Sequence, residues 1–146
     1  MQDSYTYIIR SADAISGTSN SFKIFVPKPQ VPTNKFMMIF RSIYVFTALN
    51  GHNYEESPLI EVQCDLASNG PFSYETTSRA GSKVIGYGVL SGTVFETLQK
   101  NMKVVFVEGG NTHTFELYDP STNALYLDSA DSAPNNSIIH FELIPM

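Results

Sequence analysis

The chain has 146 residues, 16% of them charged, with a formal net charge of −5. That length fits one domain, 1–146, with a core able to stand without disulfides or metal. The charge balance excludes a nucleic-acid binder: nine Lys and Arg, scattered singly among fourteen acids, make no basic stripe to neutralise phosphates.

The single cysteine, Cys64, leaves no internal disulfide framework and no thiolate zinc set. The opening Met1–Tyr7 lacks the charged-then-apolar pattern of a signal peptide, which points to synthesis in the cytosol. The Asn135-Asn136-Ser137 sequon is then read as chance. Aromatics are 12%, all Phe and Tyr, a composition of strands and interfaces. Low charge also suits a surface partly covered by partners.

Tyr5–Ser11 is the first predicted strand, followed by a Ser/Gly/Thr/Asn loop over Ala12–Asn20. Ser21–Val26 alternates, with Phe22, Ile24 and Val26 on one side, as a half-buried strand does. Pro27, Pro29 and Pro32 then stop any ladder, because proline has no N–H to give it. Phe36–Leu49 (FMMIFRSIYVFTAL) is the longest apolar run and the segment around which the rest is organised. Extended, it is apolar on both faces and must be covered on both, inside stacked sheets or at a buried interface. Helical spacing also fits Phe36, Phe40, Ile43, Tyr44 and Thr47, but the aromatic and β-branched content favours a strand. Its length predicts a bend or bulge around Arg41-Ser42. It is shorter than the ~18 residues a membrane helix needs, and Arg41 interrupts it, so no membrane insertion is expected.

Asn50-Gly51 signals a tight turn, and His52–Pro58 a polar loop. Leu59–Cys64 reads as a strand with Ile60, Val62 and Cys64 on one face. Asp65–Ser82 is a long connection with a short extended piece around Phe72–Tyr74. Lys83–Leu90 is a strand in which Gly86 and Gly88 mark close backbone approach or a bulge. Val94–Gln99 fits a helical turn or a strand equally well. Met102–Val107, Glu108-Gly109-Gly110-Asn111 and Thr112–Tyr118 read as a hairpin. A turn at Asp119–Asn123 precedes Ala124–Leu127, Asp128–Asn136 is polar, and Ser137–Ile144 closes the chain as a strand. The expected fold class is therefore all-β, an antiparallel double-sheet jelly-roll sandwich of about eight strands.

Candidate chemistry is sparse. His52, His113 and His140 lie apart, with no partner at metal-ligand spacing. Cys64 ends an apolar row and reads as an inert buried thiol. Gly86-Tyr87-Gly88-Val89-Leu90-Ser91 has Ser where a dinucleotide loop needs its third glycine, and Glu108-Gly109-Gly110-Asn111 lacks the Lys of a phosphate loop. Asp119, Asp128 and Asp131 do not follow an EF-hand spacing, and the adjacent Glu55 and Glu56 read as surface charge. No catalytic, cofactor-binding or metal-binding residue is assigned, and no enzyme activity is expected. The remaining lead is aromatic: Tyr5, Tyr7, Phe25, Tyr54, Phe72, Tyr74, Tyr87 and Tyr126 exceed what the core can take if the alternation holds. Half are accounted for by packing under loops, and the rest point to contact surfaces for protein or sugar.

Two stretches together carry a family resemblance. One is Tyr7-Ile8-Ile9-Arg10-Ser11-Ala12-Asp13 with Ser16-Gly17-Thr18 and Phe22 to Pro27. The other is Ile60-Glu61-Val62-Gln63-Cys64-Asp65-Leu66 with the closing Phe141-Glu142-Leu143. In order, over most of the chain, these resemble the small single-jelly-roll penton and minor capsid proteins of large eukaryotic DNA viruses, virophages and polinton-like viruses. The resemblance implies a structural capsid protein, most simply a homopentamer at icosahedral vertices. It implies contacts with the major capsid protein and other minor capsid proteins, and a place in the virion after synthesis in the host cytoplasm. A cementing minor protein shares that fold. It implies no catalytic residues and no cofactor. The alternative is a carbohydrate- or receptor-binding jelly roll with Tyr54 and Tyr74 stacking on sugar. A cupin-type enzyme would need a His/Glu metal cluster.

Overall fold

The computed structural model describes residues 3–18, 20–45, 59–67, 83–91, 94–97, 102–120, 124–125 and 137–146. Eleven strands lie among them: β1 (Tyr5–Arg10), β2 (Ser16–Gly17), β3 (Ser21–Val26), β4 (Lys35–Val45), β5 (Leu59–Cys64), β6 (Val84–Ser91), β7 (Val94–Thr97), β8 (Met102–Phe106), β9 (Asn111–Asp119), β10 (Ala124–Leu125) and β11 (Ser137–Pro145). Among the described residues the helical content is two single 3-10 turns, Ser11–Asp13 and Asp65–Ala67. The segment left open between helix and strand is a strand over Val94–Thr97. The expected turn at Asn50-Gly51, the loop 52–58, the piece at Phe72–Tyr74 and the acidic stretch from Asp128 lie outside the described residues.

The strands build the antiparallel two-sheet sandwich that the alternation predicts. One sheet has the order β1-β11-β4-β8, the other β2-β3-β9-β5-β6-β7 with β10 against β9. Eight strands form the frame, and β2, β7 and β10 are short additions to it. The frame pairs from the outside in: β1 with β11, β3 with β9, β4 with β8, β5 with β6. Each arm of this nested order alternates between the two sheets, so nearly every crossing buries apolar surface between them.

The hairpin expected at 102–118 is not formed. Both strands exist, but β8 pairs with β4 in one sheet while β9 pairs with β3 and β5 in the other. The intervening turn carries the chain across the sandwich, helped by Gly109 at φ +75°. Val105 and Val107 before the turn, and Phe115 and Leu117 after it, all reach the same interior. Crossing over gives both apolar rows a place in that core and gives β9 two backbone partners, which a lone hairpin would not.

β4 is the spine of the smaller sheet. Phe36, Met38 and Phe40 face the core, and then the phase changes: Ile43 is buried while Ser42 and Tyr44 are exposed. The register with β11 shows why. His140 pairs with Ser42 and Phe141 with Phe40, leaving Arg41 as the extra residue of a bulge. The bend predicted at Arg41-Ser42 is there. A second irregularity sits in β6, where Val62 pairs with Gly86 and Gln63 with Val84.

Aromatic rings tie the layers together. Tyr7 stacks on Phe141 at 5.0 Å, Phe141 meets Phe115 at 6.2 Å, and Phe115 meets Phe22 at 5.8 Å. Phe141 belongs to the smaller sheet and Phe115 and Phe22 to the larger, so the row crosses the core. Cys64 is fully buried, and burial pushes its thiol far above the ordinary range, as an inert core residue requires.

Candidate interaction surfaces

The outward row of β4 lies at the centre of the smaller sheet's outer face. Register places Met37 beside Val104 and Ile144, Ile39 beside Met102, and Tyr44 beside Ile138. Four large apolar side chains stand out on this face: Ile8 at 51% exposure, Tyr44 at 43%, Met102 at 64% and Phe106 at 55%. They come from the two edge strands and β4, so the apolar surface spans the sheet. Strand spacing and length give a face of roughly 15 Å by 30 Å. The whole face is about 450 Å² in projection, and the apolar patch is the part of it left by Lys35, Arg41, Ser42, His140 and Glu142.

Polar groups interrupt the patch. The guanidinium of bulged Arg41 donates to Glu142 Oε2 at 2.7 Å, with both side chains partly exposed. That hydrogen bond holds the Glu142 carboxyl below its usual range, and the Arg41 charge adds to the effect. Beside it, His140 Nε2 is shielded from solvent and has no hydrogen-bond partner. The sequence expectation of a structural or solvated His140 is therefore refined: it sits in the middle of this face, opposite Ile8 and Ser42.

A second feature lies where β1 approaches the end of β3. A groove of about 760 Å³ is lined by Ser4–Ile9 on one side and by Ile24, Phe25 and Pro27–Gln30 on the other. Tyr7 spans the gap, its ring on Phe141 and its hydroxyl donating to Pro27 O at 2.6 Å. Burial, with Tyr5 nearby, pushes the Tyr7 hydroxyl up to about 12. Lys28 donates to the carbonyls of Pro29 and Val31, and its ammonium lies 6.0 Å from the Phe36 ring. Phe25 is 52% exposed, its ring close over Gly110.

Of the aromatics singled out in the sequence, Tyr5, Tyr7 and Phe25 thus come together along this groove, whereas Tyr87 lies elsewhere on β6. Tyr54, Phe72, Tyr74 and Tyr126 lie outside the described residues. The exposed Met102 and Phe106, missed as surface candidates, carry only a weak signal: β8 continues its apolar character on both faces.

His113 is a structural residue. Its Nδ1 is 2.7 Å from Asp65 Oδ1, and the Thr114 N–H donates to the other carboxylate oxygen. This clamp fixes the 3-10 turn after β5 against β9. Among the described residues, no three of His, Cys, Asp and Glu come together as a metal site. His52, Glu55, Glu56, Asp128 and Asp131 lie outside the described residues.

No protein-family model and no curated protein matches the chain. Among solved structures, the tripod from the baseplate of bacteriophage Tuc2009 is similar at 13% identity and a TM-score of 0.37, over 97% of this chain. The present chain spans 64% of the length of that tripod chain. A Bacillus endospore appendage of the disulfide-linked pili is similar at 9% identity and a TM-score of 0.30, over all of this chain and 87% of the appendage chain. At TM-scores below 0.5 these likenesses carry no information about function.

Proposed function

We propose that this protein is a structural subunit of a viral capsid, a single jelly roll working as a symmetric oligomer. The observation that carries the reading is the second apolar face of β4. One row fills the core; in the other Ile39 is buried, Met37 half-buried and Tyr44 exposed, with Met102 and Phe106 exposed on the neighbouring strand. A face of that kind supports an interface, since the largest apolar patches of monomers are often functional. The outside-in pairing of the eight frame strands supports the jelly-roll wrapping.

In the finer form of the proposal, five copies close a ring at an icosahedral vertex and touch the major capsid protein and other minor capsid proteins. A heterologous contact that closes at five needs no chemistry beyond complementary surfaces. The protein is then not an enzyme, binds no nucleic acid and does not insert into membranes. The net charge of −5 supports the second of these, and Arg41 within the long apolar run supports the third. Native mass spectrometry at increasing concentration, with and without a candidate major capsid protein, tests it. Five-fold species support the vertex role. A chain that stays monomeric in both samples overturns it.

A further inference from the structure

We infer that the free edge of β1, with the groove beside it, takes up an extended, acid-bearing peptide segment of another protein as an added strand. The inference stands apart from the capsid reading, because it uses the sheet edge and groove rather than the apolar outer face.

The four sheet edges are not equally protected. In the larger sheet the edges are β2, two residues long and paired among the described residues only with Phe22 and Lys23, so that Ile24 and Phe25 of β3 face the groove, and β7, four residues long. Edge strands that short offer little to pair with. In the smaller sheet one edge is β8, which carries Lys103 opposite Met38 on its core-facing side. An inward-pointing charge of this kind is a recognised guard against edge pairing. The other edge, β1, has six residues in regular one-to-one register with β11 and no bulge. It contains no proline, and its inward row is Tyr5, Tyr7 and Ile9, without a charge. Alternate residues of an antiparallel edge strand turn both N–H and C=O away from the sheet. On β1 those groups point to the side that no other strand among the described residues occupies.

What distinguishes β1 from a merely unguarded edge is the groove along it. The lining covers the strand from Ser4 to Ile9 and is closed opposite by Phe25, Pro27 and Pro29. Backbone pairing with β1 would give a guest strand its hydrogen bonds, and the groove would take alternate side chains, as in β-augmentation. Six residues of strand run ~20 Å, so a guest of six to eight residues fits. The charge pattern selects the guest. Among the described residues Lys28 is the one ionisable cation in the lining, on a protein whose net charge is −5. Two carbonyls already accept from it, and these neutral partners leave its charge for a carboxylate.

The probe is a capped, dye-labelled eight-residue peptide alternating valine and threonine with glutamate at both ends. Its control has lysine at both ends. Fluorescence anisotropy should show saturable binding of the glutamate probe below about 1 mM. Preference for the acidic probe, against the protein's overall charge, is the expected sign. Lys28→Glu should weaken the glutamate probe about three- to fivefold and reverse the preference. Phe25→Ala, at an exposed ring whose loss spares the core, should weaken both probes about tenfold. Amide exchange in β1 should slow when the probe is bound. Failure of both probes to bind, or binding indifferent to both substitutions, overturns the inference. So does slow β1 exchange in the peptide-free protein together with self-association, because the occupant is then a second copy.

Discussion

Phe40 lies so close to the backbone of Gly86 that a Cβ there would stand 2.1 Å from the nearest ring carbon. The contact joins the two sheets, β4 on one side and β6 on the other, and both residues are buried. Gly86→Ala therefore has nowhere to put its methyl without moving a core ring or the strand. The expected cost is about 1–3 kcal/mol, measured by urea denaturation. Combining it with Phe40→Leu should cost less than the sum of the single changes, since the smaller side chain frees the space.

Tyr7 predicts an alkaline limit. Its hydroxyl keeps its proton up to about 12 in the folded protein, because burial first and Tyr5 second oppose ionisation. An unfolded tyrosine ionises near 10. Between those values the unfolded chain binds fewer protons, so stability falls as pH rises from about 10 to about 12. Tyr7→Phe removes the bond to Pro27 O, costing about 1 kcal/mol at neutral pH. It should also flatten that alkaline decline. A variant whose decline matches the parent's would remove Tyr7 as its source.

Lys103 acts in the opposite direction. Burial lowers its pKa to about 8, whereas an unfolded lysine titrates near 10.4. Between these values the unfolded chain holds the extra proton, so stability climbs as pH rises through that window. Cys64 works against this climb: burial holds its thiol far above the roughly 8.5 of an unfolded cysteine, so above that pH its contribution falls while that of Lys103 rises. The net decline sets in once Tyr7 joins it above about pH 10. Lys103→Met should leave the Cys64 decline unopposed, so that stability falls from about pH 8.5 instead of about 10, and should raise the melting temperature at pH 7. It should also increase association through the β8 edge, visible as light scattering at high concentration.

Strand positions were legible in the sequence because alternation reports burial directly. Ser21–Val26 and Leu59–Cys64 occupy the segments read from the pattern, and the Arg41-Ser42 bulge followed from a run too long to keep one phase. Sheet membership was not legible at 102–119. Glycines and asparagine at 109–111 signal that the chain reverses, not whether it reverses within a sheet or across the core. That choice depends on which distant strands, β4 and β3, wait for a partner. The surfaces were half legible. The two-faced run called for cover on both faces, by stacked sheets or by an interface, and the structure shows the cover of one, while Tyr5, Tyr7 and Phe25 were marked as surplus aromatics. Their meeting along one groove depends on β1 and the Pro27–Gln30 segment coming together, which no local pattern encodes.

The outer face of the smaller sheet is the centre of the account, and its state of association tests it most directly. Met102 and Phe106 are more than half exposed, so a Met102→Glu/Phe106→Glu double variant should fold with an unchanged melting temperature. Sedimentation velocity of parent and variant side by side should show an oligomer for the parent and a monomer for the variant. A parent that sediments as a monomer at every concentration, or a variant that associates as well as the parent, would contradict the account.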